Sequence, residues 1–179
     1  MKKTVEAFDY AGHICKSMKK GILLTTKNGD FVNTMTIGWG TIGIEWGKPI
    51  FIAYVRESRH TKQMLEQCGE FTVNIPYGEL DGKILGFCGT KSGRDLDKIS
   101  ELGLHLEQSD VIAVPGIKEL PLTLECKVIY KEEQTVGRLP ESILARYYPE
   151  TEGVTYAGES RDFHIAYYGE IVNAYLITD

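Results

Sequence analysis

The sequence predicts a mainly β domain, a largely antiparallel barrel with helices at its periphery. Segments with strand character come in runs and do not alternate strictly with helical segments, which disfavours a doubly wound parallel sheet. The chain is 42% hydrophobic and 25% charged and contains no biased tract, a composition typical of globular proteins. Its 179 residues can bury a core of their own, so we expect residues 1–179 to form one domain.

The first third of the chain predicts a helix, a hairpin and a buried strand. Residues 5–18 have helical character and end among lysines, which suit the C-terminus of a helix. The turn signal Asn28-Gly29 joins predicted strands over residues 21–27 and 31–39. The continuous apolar run of residues 49–55 predicts a third strand that is buried on both faces.

The remaining two thirds predict three short helices and three further strands. We place Ser58 at the N-cap of the first of these helices, because serine side chains accept hydrogen bonds from a helix start. Gly169 marks a bend or bulge within the last strand. The predicted order is a helix at 61–67, a strand at 70–75, helices at 81–87 and 97–102, and strands at 122–131 and 163–177.

Composition argues against several classes of protein. The formal net charge of −5 disfavours non-specific nucleic-acid binding, which needs a basic surface. The four cysteines and four histidines are too scattered for a zinc site. No apolar run is long enough to span a bilayer, and no secretory signal precedes the first predicted helix. We therefore expect a cytoplasmic protein with reduced thiols and neither a membrane nor a nucleic-acid partner.

The first candidate site is the strand that follows the Asn28-Gly29 turn. Glycine within a strand often marks the close approach of a ligand, and Asn33 can donate to and accept from a polar ring edge. This pattern is typical of a site for a planar cofactor, with Trp39 shielding the ring. The alternative is ordinary packing against a core. Side chains alternate along the strand, which places Asn33, Met35, Ile37 and Trp39 on one face and Thr34, Thr36, Gly38 and Gly40 on the other.

The second candidate is the segment Arg56–Thr61, where a strand runs into a helix. Free N–H groups at a helix start favour an anion. Ser58 and Thr61 add hydroxyl donors, while Arg56 and Arg59 add positive charge. The segment is therefore a candidate phosphate site, and the alternative is an ordinary serine N-cap beside two solvated arginines.

The third candidate is the glycine-containing segment Cys88–Arg94, with Lys98 close behind it. Its glycines allow a tight loop whose N–H groups can point at phosphate oxygens, and Ser92, Gly93 and Arg94 lie within it. The spacing matches neither a Walker loop nor a Rossmann fingerprint. The alternatives are a surface turn and, for Cys88, either a reactive thiol beside cations or an incidental buried residue.

Taken in order, these three segments resemble the flavin reductase-like family of FMN-binding split barrels, with the closest similarity to flavoredoxin-type members over about residues 20–175. The resemblance implies a Greek-key split β-barrel that forms a homodimer and binds FMN non-covalently near the subunit boundary. It implies a ring site at Asn33, Thr34, Met35, Thr36 and Trp39. It implies a phosphate and ribityl site at Arg56, Ser58, Arg59, Thr61, Cys88, Ser92, Gly93, Arg94 and Lys98.

One departure from the family concerns the segment before the last strand. Family members commonly carry Gly-Asp-His there, whereas this chain has Arg161-Asp162-Phe163-His164. The resemblance therefore leaves open what His164 does, including any part in nicotinamide binding.

The function that the resemblance implies is an FMN-dependent oxidoreductase that moves a hydride or electrons, with no side chain acting as a nucleophile. NADH, NADPH or a redox protein would be the electron donor or partner. Two alternatives stay open. One is an electron carrier without nicotinamide activity of its own. The other is a non-catalytic barrel that binds a small molecule or an oligosaccharide by stacking of Trp39 and tyrosines. The candidate tyrosines are Tyr147, Tyr148, Tyr156, Tyr167 and Tyr168.

Overall fold

A computed structural model describes residues 1–150 and 161–178 and confirms a mainly β fold with antiparallel strands and peripheral helices. The strands are β1 (Lys2–Thr4), β2 (Ile22–Asn28), β3 (Phe31–Ile37), β4 (Gly40–Glu45), β5 (Lys48–Arg56), β6 (Glu70–Ile75), β7 (Leu106–Glu107), β8 (Gly116–Ile117), β9 (Leu122–Glu133) and β10 (His164–Ile177). The α-helices are α1 (Ala11–Met18), α2 (His60–Cys68), α3 (Gly82–Thr90), α4 (Lys98–Leu102) and α5 (Glu141–Tyr147).

The main sheet brings its two ends together. Its strands run in the order β3-β2-β6-β9-β10-β5-β4, with β1 added to β10, while β7 and β8 form a separate ribbon. Only Gly38 and Trp39 separate β3 from β4 in sequence. The sheet must therefore curl until its first and last strands approach each other. Side chains from the strands and from α1 fill the enclosed core, among them Ile14, Leu24, Phe51, Phe71, Val73, Leu124 and Tyr167.

The β2–β3 hairpin forms where the sequence predicts it. Gly29 adopts a φ of 56° in the two-residue turn, a backbone conformation that glycine adopts at little cost. Asn28 faces Phe31 across this turn, and the register continues to Ile22 opposite Ile37. Because β3 is the end strand of the sheet, its far edge is left for other parts of the chain.

The last strand contains the irregularity that Gly169 predicts. The register between β9 and β10 shifts between Tyr168 and Gly169, as in a β-bulge. A Cβ atom on Gly169 would lie 2.4 Å from the ring of Phe71. Glycine at this position therefore lets the sheet close tightly over the core.

Other predicted elements need correction. The helix expected over residues 5–18 divides into a 3-10 turn at Ala7–Tyr10 and α1. The α3 helix continues to Thr90, which contradicts a loop starting at position 88. In β5, Ile52 and Tyr54 are only half-buried, so burial on both faces holds only in part. The sequence pattern does not predict β1, β4, β7, β8 or α5, which are short, edge-located or weakly patterned.

Among residues 1–150 and 161–178, no helix is both long and apolar enough to cross a membrane. The four cysteines are free thiols, of which Cys88 and Cys126 are buried.

Candidate functional site

The three candidate segments meet around one polar cavity. It lies between the edge of β3, the start of α2, and the end of α3 with the loop that follows it, and has a volume of about 170 Å³. Its lining residues are Asn33, Met35, Thr36, Ser58, Arg59, His60, Thr61, Cys88, Gly89, Thr90, Lys91, Ser92, Gly93, Arg94 and Lys98.

The strand β3 presents its edge to this cavity. In an antiparallel hairpin, hydrogen-bonded pairs alternate with non-bonded pairs. Asn28 and Phe31 flank the two-residue turn as a hydrogen-bonded pair, so Thr34 and Thr36 fall in non-bonded pairs with β2. The main-chain groups of Thr34 and Thr36 therefore point away from β2. The Thr34 side chain is buried, and its hydroxyl donates to the carbonyl of Leu24 at 3.3 Å. Thr34 therefore faces this region through its main chain, because the cavity lies beside the strand and not over one face, and its part in binding a ligand stays a prediction.

Lys98 fixes the opposite wall of the cavity to this edge. Its ammonium group donates to the carbonyl of Thr34 at 2.8 Å and to the carbonyl of Cys88 at 3.1 Å. The residue is only 4% exposed, and burial lowers the pKa of its ammonium group. Two of its three N–H donors hold protein carbonyls, so Lys98 serves first as a clamp between β3, α3 and α4.

Asn33 carries an unpartnered polar atom at the cavity wall. Its amide nitrogen donates to the hydroxyl of Thr61 at 3.0 Å, yet its Oδ1 is buried without a hydrogen-bond partner. A Cβ atom on Gly93 would lie 2.1 Å from this oxygen. Buried polar atoms are almost always paired. Glycine at position 93 lets its loop approach Asn33 closely, and the free Oδ1 leaves an acceptor for a ligand that donates a hydrogen bond.

The start of α2 differs from the prediction in its cap. The helix begins at His60, and Arg59 occupies the N-cap without a side-chain hydrogen bond to the helix. The hydroxyl of Ser58 donates instead to the carboxylate of Asp162 at 2.7 Å. Arg94 donates to the Ser58 carbonyl at 2.9 Å, which ties the loop after α3 to this turn. The first N–H groups of α2 are thereby left for the cavity.

The polar cavity is positively charged although the chain is acidic overall. Arg59, Lys91, Arg94 and Lys98 line it, and none of its described lining residues is acidic. A helix start adds a further partial positive charge. Hydroxyl and main-chain donors stand beside these cations, which is the chemistry that binds a phosphate group.

A second depression, the Trp39 groove, continues from the cavity along β3 and shares Met35, Thr36 and Arg59 with it. Its lining consists of Met35, Thr36, Ile37, Gly38, Trp39, Tyr54, Arg56, Arg59 and His164. Trp39 is 42% exposed, and its ring lies 4.8 Å from that of His164. Arg56 faces this groove and not the polar cavity, and its guanidinium donates to the carbonyls of Asp162 and Tyr147 at 2.7 and 3.0 Å.

His164 is held neutral at the wall of the Trp39 groove. Only 7% of the residue is exposed. Burial lowers the pKa of its imidazole to about 4, and the nearby Arg56 guanidinium acts in the same direction. Its Nδ1 lies 2.8 Å from the hydroxyl of Tyr148. The imidazole is therefore an uncharged hydrogen-bonding group at neutral pH.

The surroundings of Cys88 favour the buried alternative. Its side chain is 1% exposed, and burial raises the pKa of its thiol to about 11. A reactive cysteine needs an accessible thiolate, which this position does not provide.

The sequence analysis missed part of the site. The cavity lining also includes His60, Gly89, Thr90 and Lys91. Each lies inside or next to a candidate motif, and this adjacency is the signal that would have found them. Tyr148 reaches His164 from beyond α5, a contact for which the sequence holds no spacing signal. Tyr156, one of the tyrosines considered for stacking, lies outside the described residues. No cluster of metal-ligating side chains occurs within the two described ranges.

The chain belongs to the family described as Flavin reductase like domain, whose model matches residues 16–179. An uncharacterized protein of Archaeoglobus fulgidus is 36% identical over 103 residues, 58% of this chain and 56% of that protein. The chain spans between 51% and 59% of the length of the curated relatives it matches.

Solved structures with a similar fold include two flavoredoxins. Flavoredoxin of Desulfovibrio vulgaris (Miyazaki F) has a TM-score of 0.64 at 20% identity, covering 88% of this chain and 69% of that one. Flavoredoxin from Methanosarcina acetivorans has a TM-score of 0.62 at 24% identity, covering 88% and 68% respectively. These similarities establish the fold, and a general flavin-related redox role rests on the family match.

Substituting Lys98→Met should destabilise the fold. The carbonyls of Thr34 and Cys88 would lose their donor inside the protein, so we expect the free energy of unfolding to fall by about 3 kcal/mol. Urea unfolding measures this, with Lys91→Met at the exposed rim of the cavity as the matched control. Equal unfolding curves for the two variants would show that Lys98 is not the clamp described.

Acidification should weaken the fold through His164. An unfolded histidine takes up a proton near pH 6.5, whereas folded His164 does so only near pH 4. The stabilisation that neutral His164 gives is complete above pH 6.5 and is lost as the pH falls towards 4. The free energy of unfolding then decreases by about 3 kcal/mol in all. The difference in unfolding free energy between the wild type and His164→Gln should narrow by this amount between pH 7 and pH 4. Parallel curves for the wild type and His164→Gln would contradict the prediction.

Proposed function

We propose that the polar cavity binds FMN non-covalently and that the protein is an FMN-dependent oxidoreductase. The observation that carries the proposal is the unpartnered Oδ1 of Asn33, buried at the wall of a cationic cavity beside the free edge of β3. A flavin mononucleotide combines hydroxyl and ring N–H donors with a phosphate, so it can satisfy both the acceptor and the cations.

The residues fit the two ends of this molecule. Arg59, Thr61, Ser92 and Arg94, together with the start of α2, supply charged and neutral donors for a phosphate. The Oδ1 of Asn33 and the outward main-chain groups of β3 supply partners for ribityl hydroxyls or a ring edge. Gly93 lets its loop pack directly against Asn33, where a side chain would collide with the Oδ1.

When bound, FMN supplies hydride and electron-transfer chemistry at its ring. The chain's own residues bind and orient it. Lys98 keeps the edge of β3 at a fixed distance from α3, and Arg94 holds the turn before α2 against the opposite loop. No side chain is needed as a nucleophile. The Trp39 groove, with two arginines and a neutral histidine, is the place we propose for the electron donor or acceptor.

Absorbance spectroscopy tests the proposal directly. Purified protein should bind added FMN, and Gly93→Ala should weaken binding at least tenfold, about 1.4 kcal/mol, because the new Cβ collides with Asn33. The matched control is Gly86→Ala in α3, where a Cβ meets nothing within 4 Å. A wild-type protein that takes up no FMN would refute the cofactor assignment.

Anaerobic stopped-flow reduction then separates an enzyme from a carrier. Rapid bleaching of the bound flavin by NADH or NADPH would identify a nicotinamide-dependent oxidoreductase. Reduction by a redox protein alone would leave the electron-carrier alternative.

We also propose that the protein works as a homodimer, as the resemblance implies. Supporting it, Ile44, Trp46, Ile129 and Tyr130 are exposed, and the ring centroids of Trp46 and Tyr130 are 5.8 Å apart. Large apolar patches on a surface usually mark an interaction site. Sedimentation equilibrium should report a dimer that Ile44→Lys dissociates, whereas Leu106→Lys on the β7–β8 ribbon leaves it intact. A monomeric wild type would overturn this part of the proposal.

A further inference from the structure

A chain of polar groups behind His164 leads away from the Trp39 groove. The first link is the 2.8 Å contact between its Nδ1 and the hydroxyl of Tyr148. The Tyr148 ring stacks on Phe163 at a centroid distance of 4.8 Å and is 2% exposed, so the hydroxyl has little freedom to turn elsewhere. Either group can be the donor in this contact, and the next link decides between them.

Gln134 determines the direction of these hydrogen bonds. Its Oε1 accepts the main-chain N–H of His164 at 3.1 Å, which orients its amide. The oxygen keeps a second lone pair, so the effect of Gln134 on the Tyr148 hydroxyl decides which end of the amide acts there. Burial raises the pKa of this hydroxyl, and a side-chain hydrogen bond from Gln134 opposes the rise, as expected of an N–H donor to the tyrosine oxygen.

The direction of each hydrogen bond follows from these commitments. The hydrogen-bond contact of the Tyr148 hydroxyl is Nδ1 of His164 at 2.8 Å, and the effect of Gln134 on its pKa is that of an N–H donor, so the tyrosine proton is left to donate to Nδ1. A neutral imidazole that accepts at Nδ1 carries its proton on Nε2. We propose that Gln134 and Tyr148 fix His164 as the Nε2–H tautomer, and that Tyr148 is a positioning residue for a ligand in the Trp39 groove.

The proposal gives the groove a defined chemistry. Within the described part of the chain, Nε2 of His164 has no hydrogen-bond partner, and the residue lines the groove together with Arg56 and Arg59. An N–H donor beside two guanidinium groups suits a carbonyl or carboxylate oxygen. We infer that the electron donor or acceptor presents such an oxygen to His164, a role that rests on the proposed function, whereas the tautomer itself does not.

Nitrogen-15 NMR of the histidine rings tests the tautomer in the flavin-free protein. The wild type should show a protonated Nε2 and an unprotonated Nδ1 for His164 at neutral pH. Tyr148→Phe removes one hydrogen bond to Nδ1 of neutral His164, so the protonation constant of this imidazole should rise about fivefold. The charged groups that face the ring, Arg56, Arg59 and Asp162, remain in this variant. Tyr147→Phe, which removes the neighbouring hydroxyl, should leave the spectrum unchanged.

The substitution Gln134→Glu should reverse the direction of the hydrogen bonds without removing them. A carboxylate keeps the acceptor for the His164 main chain and also accepts a hydrogen bond from the Tyr148 hydroxyl. The Tyr148 oxygen then accepts a hydrogen bond from Nδ1–H of His164. The two ring nitrogens should exchange roles, with the proton on Nδ1. An Nδ1–H tautomer in the wild type, or a spectrum that neither Tyr148→Phe nor Gln134→Glu alters, would overturn the proposal. These outcomes are independent of FMN binding, so they separate a failure of this inference from a failure of the proposed function.

Discussion

One buried ammonium group holds together the parts of the chain between which the cavity lies. Lys98 has no carboxylate partner in the described structure and is stabilised by two main-chain carbonyls, those of Thr34 and Cys88. Burying a cation is costly unless its donors are satisfied. The position of β3 relative to α3 and α4 is therefore set through main-chain atoms, and the width of the cavity follows from it.

The cavity shows how an acidic protein can present a cationic site. The chain has a formal net charge of −5, yet the lining gathers cations from the start of α2, the loop after α3 and α4. Fields from exposed acidic residues elsewhere are screened by solvent within about 10 Å. The local arrangement, with helix N–H groups and hydroxyls beside the cations, thus decides what the site attracts.

The sequence predicts the strands and the order of the motifs better than it predicts which atoms meet. Turn chemistry at Gly29 and the bulge at Gly169 depend on neighbouring residues, so local patterns were sufficient there. The partners of Ser58 and His164 come from segments about 100 and 16 residues away, Asp162 and Tyr148. Such contacts depend on how the sheet curls, which no local pattern encodes.

The same limitation applies to β3. Alternation along the strand correctly separates its two faces, but it cannot show that the strand ends the sheet and offers its edge to the site. Thr34 shows the consequence, because its main chain and its side chain point in different directions. Its carbonyl, held by Lys98, contributes to the site, whereas its hydroxyl bonds within the hairpin.

The free edge of β3 also bears on how the protein avoids self-association. An end strand with unpaired main-chain groups is a template on which the strand of another molecule can add. Here α3 and α4 stand across that edge, and Lys98 occupies one of its carbonyls. The residues that shape the cavity thus also block the addition of a strand from another molecule. Binding and solubility therefore depend on the same few positions.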